Sequence, residues 1–325
     1  MSLSILGIDI AKATYQVTLL HAGQRYRGEF ANRVKEFGRL ANWLKQHGVS
    51  QAHVCMEATG RYGDELAHYL HTAGHVVSVV NPMRIKSYAR SRLTRNKTDK
   101  LDADLIADFC QTCQPPAWTP TPPEMRELQE LLCQYDALQD TITQTKNRLH
   151  SGFKSSTVLK QLQAQLDLLL EQLDTLKQVI RDHIDHSPDL KRQRDLLDSI
   201  PAIGEITAAR LVSYDLLRFQ NSRAVSAYAG VTPMQGRSGT SVHRQSRLSK
   251  IGDADLRRAL YLPAVVAMRW NPVVRELADR LEKRGKCKMS IIGAGMHKLL
   301  CLAYGVLKSS LPFDPNYSRK AQVAS

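Results

Sequence analysis

Four carboxylates and a serine are the residues of this 325-residue chain whose types and spacing can do chemistry: Asp9, Glu57, Asp99, Asp102 and Ser238. Asp99 and Asp102 lie in the stretch 94–109, which from Asp99 onward reads as a helix, with Thr98 as its N-cap and aspartates in its first turn. At about 100° per residue, Leu101, Leu105, Ile106, Phe109 and Cys113 share one side, and Asp102 falls among them with Asp99 one turn earlier, at the edge. A carboxylate in an apolar stripe is costly unless a cation compensates it, so a bound metal is expected. Asp104 and Asp108, on the opposite face, read as surface acids. Seven cations, Arg84, Lys86, Arg90, Arg92, Arg95, Lys97 and Lys100, crowd the same region. Carboxylates inside a basic strip suggest metal-dependent work on a polyanion, with magnesium as the ion.

The serine sits in a different setting. Ser238, Gly239 and Ser241 follow Gly236 and Arg237, and precede His243, Arg244, Arg247, Lys250, Arg257 and Arg258. Spacing alone favours a flexible phosphate-binding loop. The sharper reading is a nucleophilic serine, because neighbouring arginines stabilise charge developing on phosphorus and glycine lets the backbone approach closely.

The totals agree with a polyanionic partner: 45 basic against 31 acidic residues give a net charge of +14 and a pI near 9.6. Residues 1–118 carry 15 basic against 10 acidic side chains, 119–187 carry 7 against 10, and 188–325 carry 23 against 11. The middle segment is therefore not expected to be the main phosphate-binding surface. No run of roughly 20 apolar residues and no signal pattern is evident, so a cytoplasmic protein is expected. Six scattered cysteines do not make a disulfide framework, and Cys110 and Cys113 form a lone CxxC read as buried thiols.

These residues need elements to position them. Residues 3–10, 15–20 and 25–30 read as strands, the last two joined by a hairpin at 21–24. A helix through Val34, Phe37, Leu40, Ala41 and Leu44 ends at Gly48 and is followed by a strand at 52–57. A helix over 62–73 and a strand over 75–81 come next. Three strands, helix, strand, helix, strand, helix is the order of the ribonuclease H-like fold. Asp9 then ends the first strand, Glu57 the fourth, and Asp99 with Asp102 sits on the last helix. Such a set can hold two magnesium ions about 4 Å apart. Residues 7–12 also resemble the first phosphate loop of actin-like ATPases and sugar kinases, but that family's second acidic loop and adenosine motif do not follow.

Residues 114–123 are proline-rich and read as a linker. Beyond it, Leu128, Leu131, Tyr135, Leu138, Ile142, Thr145 and Leu149 form one heptad seam, and Leu159, Leu162, Leu166, Leu169, Leu173, Leu176 and Ile180 a second. An antiparallel coiled-coil hairpin is expected. The turn at 200–204 resembles a helix-hairpin-helix with Ala202 where that motif has its first glycine. Residues 253–308 read as helical, with Gly293, Ala294 and Gly295 allowing close packing.

Taken together the chain resembles the transposases of insertion sequence family one-hundred-ten, relatives of the Piv DNA invertases. The motifs are Gly-Ile-Asp at 7–9, Met-Glu-Ala-Thr-Gly at 56–60 and Asn-Lys-Thr-Asp-Lys-Leu-Asp-Ala at 96–103. In the C-terminal half they are Ile-Pro-Ala-Ile-Gly at 200–204, Tyr-Ala-Gly-Val-Thr-Pro at 228–233, Ser-Gly-Thr-Ser at 238–241 and the run 248–260. The resemblance implies a RuvC-like DEDD domain over 1–118, a coiled-coil hairpin over 119–187 and a mostly helical domain with a catalytic serine over 188–325. It assigns Asp9, Glu57, Asp99 and Asp102 to the metal and Ser238, with Ser241 as runner-up, to the nucleophile. It also implies Mg2+, one or two per site, donor and target DNA, a structured guide RNA, a homo-oligomer (a dimer, or a dimer of dimers on DNA), and a bacterial cytoplasmic location, at the nucleoid when bound to DNA. Arg84, Lys86, Arg90, Arg92, Arg95, Lys97, Arg237, Arg244, Arg247 and Lys250 are the candidate nucleic-acid contacts. A RuvC-like junction-resolving nuclease with no covalent step, or a non-enzymatic nucleic-acid scaffold, are the alternatives.

Overall fold

The computed structural model describes residues 3–58, 61–92, 99–238 and 242–316, with side chains described outside 61, 99–101, 235–238 and 242–246. The expected N-cap Thr98, the cations Arg95 and Lys97, and Ser241 lie outside the described residues. The chain divides into two compact units, 1–120 and 121–325.

The first unit is built on a five-stranded sheet. Strands β1 (Ser4–Ile10), β2 (Thr14–His21), β3 (Gln24–Ala31), β4 (Ala52–Glu57) and β5 (Val76–Val80) assemble in the order β3-β2-β1-β4-β5. β2 is antiparallel to its neighbours, and β1, β4 and β5 run parallel. The β2–β3 hairpin turns on Ala22 (φ 48°) and Gly23 (φ 76°), successive left-handed residues as a two-residue hairpin requires. Helices α1 (Phe37–Gln46) and α2 (Asp64–Thr72) join the strands on one side of the sheet. There Phe37, Leu40, Leu44, Leu66 and Leu70 bury against Leu6, Ile8, Val17 and Leu19. α3 (Pro82–Ser91) was not foreseen; Pro82 at its first turn and the Asn81 cap, which accepts from Met83 N at 2.8 Å, start it. α4 (Asp99–Cys113) covers the other face of the sheet, where Ile106, Phe109 and Cys110 pack with Ile5, Cys55 and Val80. This mixed architecture is compatible with the ribonuclease H-like expectation. The proline-rich stretch is fastened to the sheet: Trp118 N donates to Val77 O at 2.6 Å, and Ser78 Oγ to Pro116 O at 2.8 Å.

The second unit is mostly helical. α5 (Pro123–Leu149) and α6 (Ser156–His186) pack along each other, with Leu138, Ile142, Leu166 and Leu173 buried between them. Nearer their other ends Leu128, Leu132, Ile180 and Ile184 enter the core formed by the rest of the unit. α7 (Pro188–Asp198) and α8 (Glu205–Ser213) meet at the expected tight turn, where Ala202 takes φ 83°, a glycine conformation. α9 (Ser222–Tyr228) leads into an antiparallel ribbon, β6 (Pro233–Ser238) and β7 (Val242–Leu248), where sequence alone suggested a flexible loop. α10 (Ala254–Trp270), α11 (Pro272–Lys283) and α12 (Lys288–Ser309) complete the core. A Cβ on Gly295 would sit 3.6 Å from Ala264 and Val274, the close packing expected of the small residues. The sequence showed no membrane-length apolar run, yet α12 is long and apolar enough to cross a membrane. Its Ile292, Met296, Leu299 and Leu300 are instead buried in the core of this unit.

Candidate active site

The sheet dictates where the acids go. β1 and β4 are parallel and in register, with Ile8 beside Met56, so the next residues, Asp9 and Glu57, emerge side by side at the same edge. Both are half-buried. Alternation puts Ile5, Gly7 and Asp9 on one face of β1, and that face is the one α4 covers. Gly7 is why the helix lies so close: a Cβ there would stand 2.5 Å from Ala103 O and closer still to Ala107 N.

α4 runs antiparallel to β1. Asp104 meets Thr18, the partner of Gly7, and Asp108 meets Arg25, which pairs with Leu20 opposite Ile5. Four helical residues rise about 6 Å and two strand residues about 6.6 Å, so the two elements stay in step. One step further brings Asp9 level with the first turn of α4, which carries Asp99 and Asp102. Asp102 is half-buried and one turn before Ile106, on the side of α4 that packs over β4, the strand of Glu57. The side chain of Asp99 lies outside the described residues. Among the described residues no three His, Cys, Asp or Glu side chains form a ready-made metal cluster. All four candidate ligands are carboxylates, a donor set suited to magnesium.

Asp104 is not the surface acid that its place on the helix suggested. It is buried at 8% exposure, accepts from Thr18 Oγ1 at 2.7 Å, and takes two hydrogen bonds from Arg27 at 3.0 and 2.6 Å. Arg25 adds a contact at 3.3 Å. Burial pushes its carboxyl up, but Arg27, Thr18 and Arg25 outweigh that and hold it below the usual carboxylate range. Asp108 likewise pairs with Arg25 at 2.7 Å and with Arg92 at 3.4 Å. These two acids clamp α4 onto β2 and β3, and sequence reasoning missed them because Arg25 and Arg27 lie some 80 residues away. The stripe shifts accordingly: Ala103, Ala107 and Cys110 are buried, whereas Cys113, expected in the stripe and as a buried thiol, is exposed.

The candidate nucleic-acid cations fall into groups. Arg84, Lys86 and Arg90 are exposed on α3, with the Arg84 guanidinium 5.5 Å from the centre of the Phe109 ring. Arg92 is partly committed, lying over Tyr88 and beside Asp108. Arg247 and Lys250 are exposed at the base of the β-ribbon. Arg237 and Arg244 lie on the ribbon itself, and Ser238 ends β6, paired with Val242 of β7.

The ribbon is held at its root by two of the sequence motifs. Ser249 N donates to Thr232 O, Lys250 N to Gly230 O and Asp253 N to Tyr228 O, at 2.7–3.1 Å. Asp253 also caps α10 and accepts from Tyr214 Oη at 2.9 Å, and burial with that neighbouring carboxylate pushes the Tyr214 phenol well up. Arg257 spends its guanidinium on the carbonyls of Ala229 and Asp253. The motifs around 228–233 and 248–257 therefore build a rigid mount for the serine strand, a role that spacing did not reveal.

Comparison with known proteins divides the chain further along than the two compact units do. Residues 6–158 match a family model described as transposase, and residues 194–279 one described as transposase of the IS116/IS110/IS902 family. The pilin gene-inverting protein of Moraxella bovis is 34% identical over 319 residues, 97% of this chain and 98% of that one. Its Moraxella lacunata counterpart matches to the same extent. A transposase for insertion sequence element IS1111A from Coxiella burnetii is 26% identical over 290 residues, 79% of this chain and 76% of the other.

Proposed function

The chain belongs to the IS110/IS116/IS902 transposase family and is a DNA recombinase, and from that premise we propose that it exchanges strands through a covalent serine intermediate. In this reading Asp9, Glu57, Asp99 and Asp102 hold magnesium and Ser238 is the nucleophile, with Ser241 as the alternative. The register of β1 with β4, which sets Asp9 beside Glu57 level with the first turn of α4, supports the metal half of this reading, and the serine half rests on the Ser-Gly-Thr-Ser motif at 238–241.

Each group has a defined task. Magnesium, when bound, supplies Lewis-acid stabilisation of charge on the phosphodiester oxygens. The four carboxylates supply only hard oxygen ligands, and the buried Asp104 clamp fixes the helix that presents two of them. Ser238 Oγ forms a bond to phosphorus as the bond from phosphorus to the 3′-oxygen breaks, and the serine proton passes to that departing oxygen. The strand is then held as a 5′-phosphoserine, and a 3′-hydroxyl from the partner strand reverses the step. Exposed Arg84, Lys86, Arg90 and Arg247 bind phosphates of donor and target DNA. The same basic surfaces suit a structured guide RNA, and a dimer, or dimer of dimers on DNA, is the proposed assembly.

The test uses purified protein, magnesium, RNA transcribed from the DNA that flanks the gene, and a plasmid carrying that DNA. Asp102→Asn removes a ligand charge at nearly constant volume and should lower cleavage at least ~100-fold with the fold intact. Full activity in the folded variant would remove the metal assignment.

A further inference from the structure

The segment 119–187 is acidic on average, but the average conceals a polarised element. Residues 141–166, around the turn between α5 and α6, hold four basic residues and no acidic one, whereas the rest of 119–187 holds three basic against ten acidic. Lys146, Arg148, Lys154 and Lys160 are all exposed, and none is in an ion pair among the described residues. His150 is exposed beside them, and Phe153 stands at 46% exposure in the turn. The tip is carried away from the shared core: Leu132 is buried in that core, and the 17 residues from there to Leu149 rise about 26 Å.

Helix stability explains only half of this charge. Lys146 and Arg148 lie in the last turn of α5, where the macrodipole favours cations. Lys154 and Lys160 flank the start of α6, where the macrodipole disfavours them, and no acid occupies its first turn. A locally unfavourable arrangement with an exposed aromatic at its centre points to a ligand outside the chain. Four unpaired cations match backbone phosphates, and an exposed ring on a turn with Gly152 (φ 90°) matches the face of an unstacked base.

We propose that the α5–α6 tip binds an unpaired stretch of nucleic acid, with Lys146, Arg148, Lys154 and Lys160 on its phosphates and Phe153 stacked on a base. The proposal rests on the chain's acting on nucleic acid. It is tested by binding alone, so its failure is separable from failure of the catalytic reading. The probes are a fluorescein-labelled 20-nucleotide DNA, the RNA of the same sequence, and the matching DNA duplex, titrated with the full chain over a range of salt. Replacing the four cations by glutamine should lower the slope of log affinity against log salt by about 2 to 3 on single strands. Phe153→Ala should weaken single-strand binding roughly 5- to 100-fold, keep the slope, and leave duplex binding unchanged. The DNA and RNA arms show which strand suffers more and so identify the natural occupant. Unchanged slope and affinity in the fourfold variant overturn the surface, and an equal Phe153→Ala loss on duplex overturns the unpaired-base assignment. All five positions are exposed, so helicity and melting should stay as in wild type. If the fourfold variant misfolds, Lys154→Gln with Lys160→Gln should lower the slope by about 1. Loss of tip binding in a protein whose wild type never cuts DNA would leave this surface standing and remove the recombination mechanism.

Discussion

Gly7→Ala is the smallest change that should disturb the acids without touching any of them. The added methyl would lie 2.5 Å from Ala103 O and 2.8 Å from Ala107 Cα, against an ordinary carbon contact of about 3.5–4.0 Å. The clashing atoms are helix backbone and have no rotamer to yield, so α4 must back off by roughly 1 Å. Overpacking a core typically costs about 1–3 kcal/mol, and a backbone clash belongs at the upper end. A cost of about 3 kcal/mol in a unit of this size lowers its melting temperature by roughly 10–15 °C. The shift also moves the first turn of α4 away from Asp9 and Glu57, so cleavage should fall well beyond what the lost stability explains. Gly38→Ala is the control, since Gly38 lies in α1 with nothing within 4 Å of its added Cβ, and it should be neutral or stabilising by up to about 1 kcal/mol. Calorimetry and cleavage assays on both variants decide the matter. A Gly7→Ala protein with wild-type melting and activity would show that α4 does not lie on β1 as described.

Asp104→Asn should destabilise the first unit by about 2 kcal/mol, less than a fully buried pair because the Arg27 side chain is 57% exposed. The folded carboxyl is held below its unfolded value, so its contribution is complete above the unfolded pKa and is lost as pH falls through the folded one. The melting-temperature gap between wild type and variant should therefore begin to narrow below about pH 4 and vanish once the pH is below the folded pKa, and a gap that stays constant throughout the acid range would refute the clamp. Ala202→Gly relieves a left-handed alanine and should raise stability of the second unit by about 0.5–1 kcal/mol in denaturant titration; a loss would mean the turn does not need that conformation.

Much of the first unit was legible because its central strands are short, almost continuously apolar runs separated by turn and helix signals. The strand at 52–57 emerged with its sequence-derived bounds, Ala52–Glu57. The face of α4 was harder. A helical wheel weighs leucines and overlooks alanines, so Ala103 and Ala107 were missed although Gly7 receives both. The wheel also assumes one buried side, while α4 meets β1, β2 and β4 and so hides Asp104 as well as Ile106. The β6–β7 ribbon lacks the apolar alternation that marks a strand, and its order comes from Tyr228, Gly230 and Thr232, which bond to residues 249–253. The heptad seams were clear from spacing, with Leu138, Ile142, Leu166 and Leu173 buried between the helices. Of the seam residues, Leu128 and Ile180 instead serve the larger core, together with Leu132, which the spacing did not select.

The covalent step remains the claim on which the mechanism turns. Labelled DNA carrying the gene's flanking sequence, incubated with protein, magnesium and RNA transcribed from that flanking sequence and resolved by denaturing electrophoresis, shows directly whether a strand stays on the chain. Wild type and Ser241→Ala should both give a protein-DNA adduct, and Ser238→Ala should bind DNA with unchanged affinity and give none. An adduct that survives Ser238→Ala and vanishes in Ser241→Ala would move the nucleophile to 241, and cutting by wild type without any adduct would contradict the covalent mechanism.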